Sequence, residues 1–136
     1  MPPFFDTNVL VYAFDEGEPE KRAVALALIE EHLVDGDGVI SVQVLREFYS
    51  AVRREPQPLS NEVAATAMRR LAGFSPLSED IGMVLKAVRR AQEMSISLWD
   101  ALIVEAALKA GADRLFTEDL QHGQIIEGMR VENPFL

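Results

Sequence analysis

Three short polar runs each follow an apolar stretch: Asp6-Thr7-Asn8 after Pro3-Phe4-Phe5, Ser41 after Val39-Ile40, and Thr117-Glu118-Asp119 after Arg114-Leu115-Phe116. Short apolar runs alternating with helical patterns read as strands of a mostly parallel sheet. In such a sheet ligands bind beyond the carboxyl ends of the strands, so the three runs are expected to meet at one edge although they lie far apart in sequence. Carboxylates gathered there would repel and raise one another's pKa values unless a cation sat among them. Oxygen donors without thiolate or paired histidine select Mg²⁺ or Mn²⁺ over zinc. Such ions bridge protein carboxylates and a substrate phosphate, activate a water and stabilise a leaving oxygen.

Each acid also has a plainer explanation. Asp6 stands between a strand and a helix, where on its own it reads first as an N-cap. Asp100 opens an almost wholly apolar helix whose only other charges are Glu105 and Lys109, an i,i+4 pair that marks the solvent face. Lys109 is roughly 900° of helical turn beyond Asp100 at about 100° per residue, so the two point opposite ways and Asp100 is expected to face the protein. A capping box, Ser97-x-x-Asp100, explains it equally well. Glu47 falls near the edge of the polar face of an amphipathic helix, where a solvated glutamate is the default. Spacing leaves open whether Glu118 or Asp119 points inward.

The elements that must position these residues follow from periodicity and caps. A strand is expected over Pro3 to Phe5, a short helix over Thr7 to Phe14, and a helix opened by Pro19 and running to Val34. Asp35-Gly36-Asp37-Gly38 is a turn and Val39-Ile40 a second strand. A helix spans Val42 to Arg53, and Pro56-Gln57-Pro58 is the most loop-like stretch. Ser60 caps a helix with Val63, Ala64, Ala67, Met68 and Leu71 on one face. Phe74-Ser75-Pro76 is a candidate short strand. Ser78 caps a helix with a buried stripe of Ile81, Val84, Leu85 and Val88. Leu98 to Ala110 is helical and ends at Gly111. Arg114 to Phe116 is a strand, and Met129 to Val131 a last, edge strand.

The chain has 136 residues, which suits one domain over 1–136. It has no cysteine, which excludes disulfides, thiolate zinc sites and cysteine nucleophiles. The start has no basic region, and no apolar run nears the ~20 residues that span a bilayer, so a cytoplasmic protein without a membrane segment is expected. The net charge of −9 is awkward for a polyanion binder. The arginine pairs Arg53-Arg54, Arg69-Arg70 and Arg89-Arg90 read as solvated helix faces, Trp99 as a core residue and His122 as part of a loop.

Taken together, Phe5-Asp6-Thr7-Asn8-Val9-Leu10, Ser41 to Phe48, Ser97 to Ile103 and Thr117 to Gly123 resemble the motifs of PIN-domain nucleases in order and spacing. The likeness covers essentially the whole chain and is nearest to VapC-type toxins of toxin–antitoxin pairs. It implies a three-layer α/β/α fold with a mostly parallel sheet of about four to five strands. It implies Asp6 and Asp100 as central ligands of Mg²⁺ or Mn²⁺, with Glu47 and Asp119 completing the acidic site. Thr7, Asn8, Ser41 and Thr117 would orient ligands or water behind them. It further implies hydrolysis of RNA to 5′-phosphate and 3′-hydroxyl ends, a homodimer, and a small antitoxin whose basic arm would neutralise the acidic cleft. The rivals are a housekeeping RNA-processing or DNA nuclease of the same fold, a nuclease-like fold used only for binding, and a phosphotransfer or phosphatase domain with Asp6 as nucleophile. Against the last, one common phosphatase pattern needs a second acid two residues on, where this chain has Asn8.

Overall fold

A computed structural model of the chain describes residues 2–54 and 58–136; Pro56 and Gln57 of the expected loop lie outside them. The elements are β1 (Pro3–Phe5), α1 (Thr7–Tyr12), α2 (Pro19–Leu28), a π-helical segment (Ile29–Val34), α3 (Val42–Val52), α4 (Asn61–Ala72), α5 (Ile81–Met94), α6 (Leu98–Lys109), β2 (Arg114–Phe116), β3 (Ile125–Ile126) and β4 (Met129–Glu132). The fold is α/β. Its four-stranded sheet has the order β1-β2-β4-β3, with β1, β2 and β4 parallel and β3 antiparallel at one edge. Among the described residues all six α-helices lie in the connection from β1 to β2.

Phe4, Phe5, Leu115, Phe116 and Val131 of the strands are fully buried with Leu10 of α1 and Phe48 of α3. Phe5 pairs with Phe116, and Phe116 with Glu132. The parallel register thus brings β1 and β2 to an end at the same level. It is continued by Asp6 N donating to Phe116 O (3.0 Å) and Thr117 N to Glu132 O (3.1 Å). Short polar residues start the helices: Asp6, Ser41, Ser60, Asp80 and Ser97 each accept a backbone N–H from the first turn.

Several expectations are corrected. Val39 makes only a single parallel bridge to Phe4, so Val39-Ile40 is not a full strand. Phe74-Ser75-Pro76 is not a strand: Ser75 has φ +53°, and the bridge from Ser41 is to Leu77 instead. The cap of α5 is Asp80, not Ser78; its carboxylate takes Met83 N at 2.8 Å and also Lys109 Nζ at 2.9 Å. The helix from Pro19 does reach Val34, but its last six residues widen into a π-helix. The chain leaves that segment by folding Gly38 N onto His32 O, and a Cβ on Gly38 would stand 2.7 Å from that oxygen. β4 is interior; the edge is β3, whose two residues are too few to show a period. Val63 of α4 is exposed.

The largest correction concerns α5 and α6. Ile81 is 80% and Leu85 65% exposed, and Val88 is also exposed; the buried residues of α5 are Met83 and Ala87. Small side chains decide the phase, because Ala87 meets Ala101 and Leu102 of α6 and lets the two helices approach closely. Of the expected stripe only Val84 packs against that cluster, while Ile81, Leu85 and Val88 face outward. Glu105 is likewise not on a solvent face. It is 8% exposed and accepts Arg90 Nε at 2.6 Å, while Arg90 also bonds Glu127. Arg90 is therefore a structural residue rather than part of a solvated pair. Removing it leaves a buried carboxylate without its cation. Arg90→Ala should cost about 2–3 kcal/mol in urea denaturation. Arg89→Ala, at its exposed neighbour, should stay within about 0.5 kcal/mol.

Candidate active site

The ends of β1 and β2 and the faces of α1, α3 and α6 enclose a cleft of about 630 Å³. Asp6, Glu47, Asp100 and Asp119 all line it, as do Thr7, Asn8 and Glu118. Four acids from separate parts of the chain are thus brought together as expected.

Asp6 lies deepest, 4% exposed. Its Oδ1 accepts Thr7 N at 2.7 Å, so it is indeed the N-cap of α1, and its Oδ2 accepts Thr117 Oγ1 at 2.8 Å. Burial pushes its pKa up to about 7, against the pull of the Thr117 and Thr7 hydrogen bonds and with added repulsion from Asp119 and Glu47. Glu47 projects from α3 and accepts Thr7 Oγ1 at 3.0 Å. Asn8 donates to Asp119 Oδ2 at 3.0 Å and, more weakly, to Thr117 Oγ1 at 3.4 Å. Asp100 is half-buried on the first turn of α6, its backbone N–H bonded to Ser97 Oγ at 3.0 Å. Its pKa is raised by burial first and then by the charge of Asp119.

Glu118 and Asp119, ambiguous by spacing, have different partners. Glu118 accepts Tyr12 Oη at 2.6 Å and Lys21 Nζ at 3.4 Å, whereas Asp119 is tied to Asn8. Ser41 does not line the cleft. It is buried with its hydroxyl on Val44 N, and so reaches the site only by starting the helix that carries Glu47. His122 sits in a loop with Nδ1 accepting Asn133 N, and neither it nor His32 lines the cleft.

Sequence reasoning missed Gln43 and misplaced Trp99. Gln43 is buried on α3 and donates from Nε2 to Trp99 O at 3.1 Å, pinning the first turn of α6 beside Asp100. A polar residue among the apolar positions of α3 was the available signal. Trp99, expected in the core, is 61% exposed and lines the cleft, as do Arg46 and Arg54.

A PIN domain family model matches residues 4–126. The chain belongs to the PIN domain family. Members of this family are generally nucleases, that is, hydrolases. Comparison with curated proteins gives no match. In this PIN domain the donor set is chemically suited to a hard divalent cation: the acids are all carboxylates, two of them, Asp6 and Asp100, are destabilised by burial, and the buried Asn8 Oδ1 lacks a hydrogen-bond partner. Among the described residues, however, no three acids or histidines converge closely enough to form a ready cage. Neutral donors hold the carboxylates instead: Thr117 on Asp6, Thr7 on Glu47 and Asn8 on Asp119.

The raised pKa of Asp6 has a definite sign. Between about 3.8 and about 7 the folded chain keeps a proton that the unfolded chain has lost, so stability falls as pH rises through this window. Asp6→Asn removes that cost. Its melting temperature should exceed that of the wild type near pH 8, and the gain should vanish near pH 4, as read by thermal unfolding at both pH values.

Proposed function

We propose that this PIN domain is a Mg²⁺- or Mn²⁺-dependent endoribonuclease, the toxin of a toxin–antitoxin pair, acting in the cytoplasm. The observation that carries the nuclease reading is the meeting of Asp6, Glu47, Asp100 and Asp119 in one cleft at the ends of β1 and β2. A divalent cation held there would neutralise the substrate phosphate and activate the attacking water. Asp6 and Asp100 would be its central ligands, and Glu47 and Asp119 would complete the set. Thr7, Asn8 and Thr117 aim the acids through their hydrogen bonds, and Ser41 sets the helix that bears Glu47. The choice of RNA, the toxin role, the homodimer and the small antitoxin rest on the resemblance to VapC-type toxins. Among the described residues no helix is long and apolar enough to cross a membrane.

Two observations count against other routes. Asn8 stands two residues after Asp6, where one common aspartate-based phosphatase pattern needs a second acid, which counts against Asp6 as a nucleophile for phosphate. Both histidines lie outside the cleft, so no histidine base–acid pair stands ready for the ribose 2′-hydroxyl. Water attack with the 3′-oxygen leaving gives 5′-phosphate and 3′-hydroxyl ends.

Cleavage of total RNA should stop in excess EDTA and return with Mg²⁺ or Mn²⁺; undiminished cleavage after full metal removal would refute metal dependence. Asp6→Asn and Asp100→Asn should abolish most cleavage in folded protein, and Asn8→Ala should slow it by ~10–100-fold. Glu118→Gln should be far milder than Asp119→Asn. End-group analysis checks the chemistry, since a 2′,3′-cyclic phosphate would exclude it. Co-expression with the neighbouring gene product should give a complex and relieve growth arrest, and light scattering should show a dimer.

A further inference from the structure

Trp99 is the residue whose surroundings the acid site leaves unexplained. Its main chain is fixed, because the buried Gln43 holds its carbonyl, yet its indole belongs to neither hydrophobic cluster and is 61% exposed. A covered indole would remove a large apolar area from water. This one instead stands open on the rim of the cleft, next in sequence to Asp100. The same cleft is lined by Arg46 and Arg54, both exposed. Among the described residues Arg46 makes one ion pair, a loose surface contact with Glu79 at 3.6 Å that is worth little in water. The cleft is therefore acidic at its floor and carries an aromatic face and two guanidinium groups at its rim.

We infer that Trp99 is a stacking platform for an unpaired base of the substrate strand beside the scissile phosphate, with Arg46 and Arg54 on the flanking phosphates. The inference rests on the ribonuclease reading and adds to it the residue that receives a base. Every base offers a π-face, so stacking on tryptophan tolerates sequence but requires a base free of its helix. Arginine at the rim supplies attraction for the strand that the acidic floor cannot.

Trp99 is the only tryptophan of the chain, so its emission reports on this ring alone. Titration with a short oligoadenylate should quench it to saturation, whereas inorganic polyphosphate should leave it unchanged and the same strand paired with oligouridylate should quench it less. In cleavage assays Trp99→Ala should raise KM roughly tenfold or more while kcat stays within a few-fold, the scale of one lost base–aromatic stack. Trp99→Phe should recover most of the loss. A single abasic residue walked along a cleavable strand should reproduce the rise in KM at one position and add nothing in Trp99→Ala. Emission unmoved by oligoadenylate, or an unchanged KM in folded Trp99→Ala, would overturn the inference while leaving the nuclease intact. Failure to cleave any RNA would overturn the nuclease reading instead, and the quenching by oligoadenylate against polyphosphate would still decide whether Trp99 receives a base.

Discussion

A carboxylate taken almost wholly out of water is the constraint around which this molecule is arranged. Asp6 sits at the end of β1 because the register with β2 leaves it there, level with Thr117. With its pKa pushed up to about 7 by burial, its ionised form is held in the fold at a cost in stability. That cost is tolerable only because strands and helices on all sides are held by an independent apolar core. Phe4, Phe5, Leu115 and Phe116 secure the two strands, and Phe48 and Val44 secure the helix that presents Glu47.

The neutral residues of the site have a double task. Thr7, Asn8 and Thr117 each occupy a carboxylate oxygen, which keeps like charges apart and oriented. Such an arrangement is poised rather than closed. The acids share one cleft without forming a cage, and a positive charge entering it would relieve repulsion that hydrogen bonds only moderate. Lys21 reinforces the division of labour by pairing with Glu118 and Tyr12, which leaves Asp119 as the acid tied to Asn8.

Much of this was legible in the residues. Asp6 and Thr117 follow short apolar runs, and chain direction in a parallel sheet sends both to the same edge. Ser60 and Ser97 announce their helices by local chemistry. Glu47 was invisible to periodicity and emerged only when its motif was read with the others, because helix-face geometry cannot tell a cleft from open solvent. Glu105 failed for a related reason. An acid and a lysine four apart suggest a solvent face, but Arg90 comes from a different helix, and a partner fifteen positions away leaves no local trace. Of the stripe Ile81, Val84, Leu85 and Val88 only Val84 packs inward, since close packing through Ala87 and Ala101 outweighs bulk apolarity. Trp99 was misjudged because size and hydrophobicity favour burial, while its placement depends on how α6 meets α3 through Gln43.

The sheet itself is unusually short, and its margins bear on how copies of the chain behave when crowded. On one side Val39 already uses the outward groups of β1, accepting Phe5 N and donating to Pro3 O. On the other, β3 offers just two residues before Glu127 turns with φ +48°. Open strand margins are templates for runaway pairing between molecules, and brevity, bends and charge are the usual defences. Here neither margin presents a run long enough to recruit another chain, so the sheet can be made of very few residues without seeding fibrils.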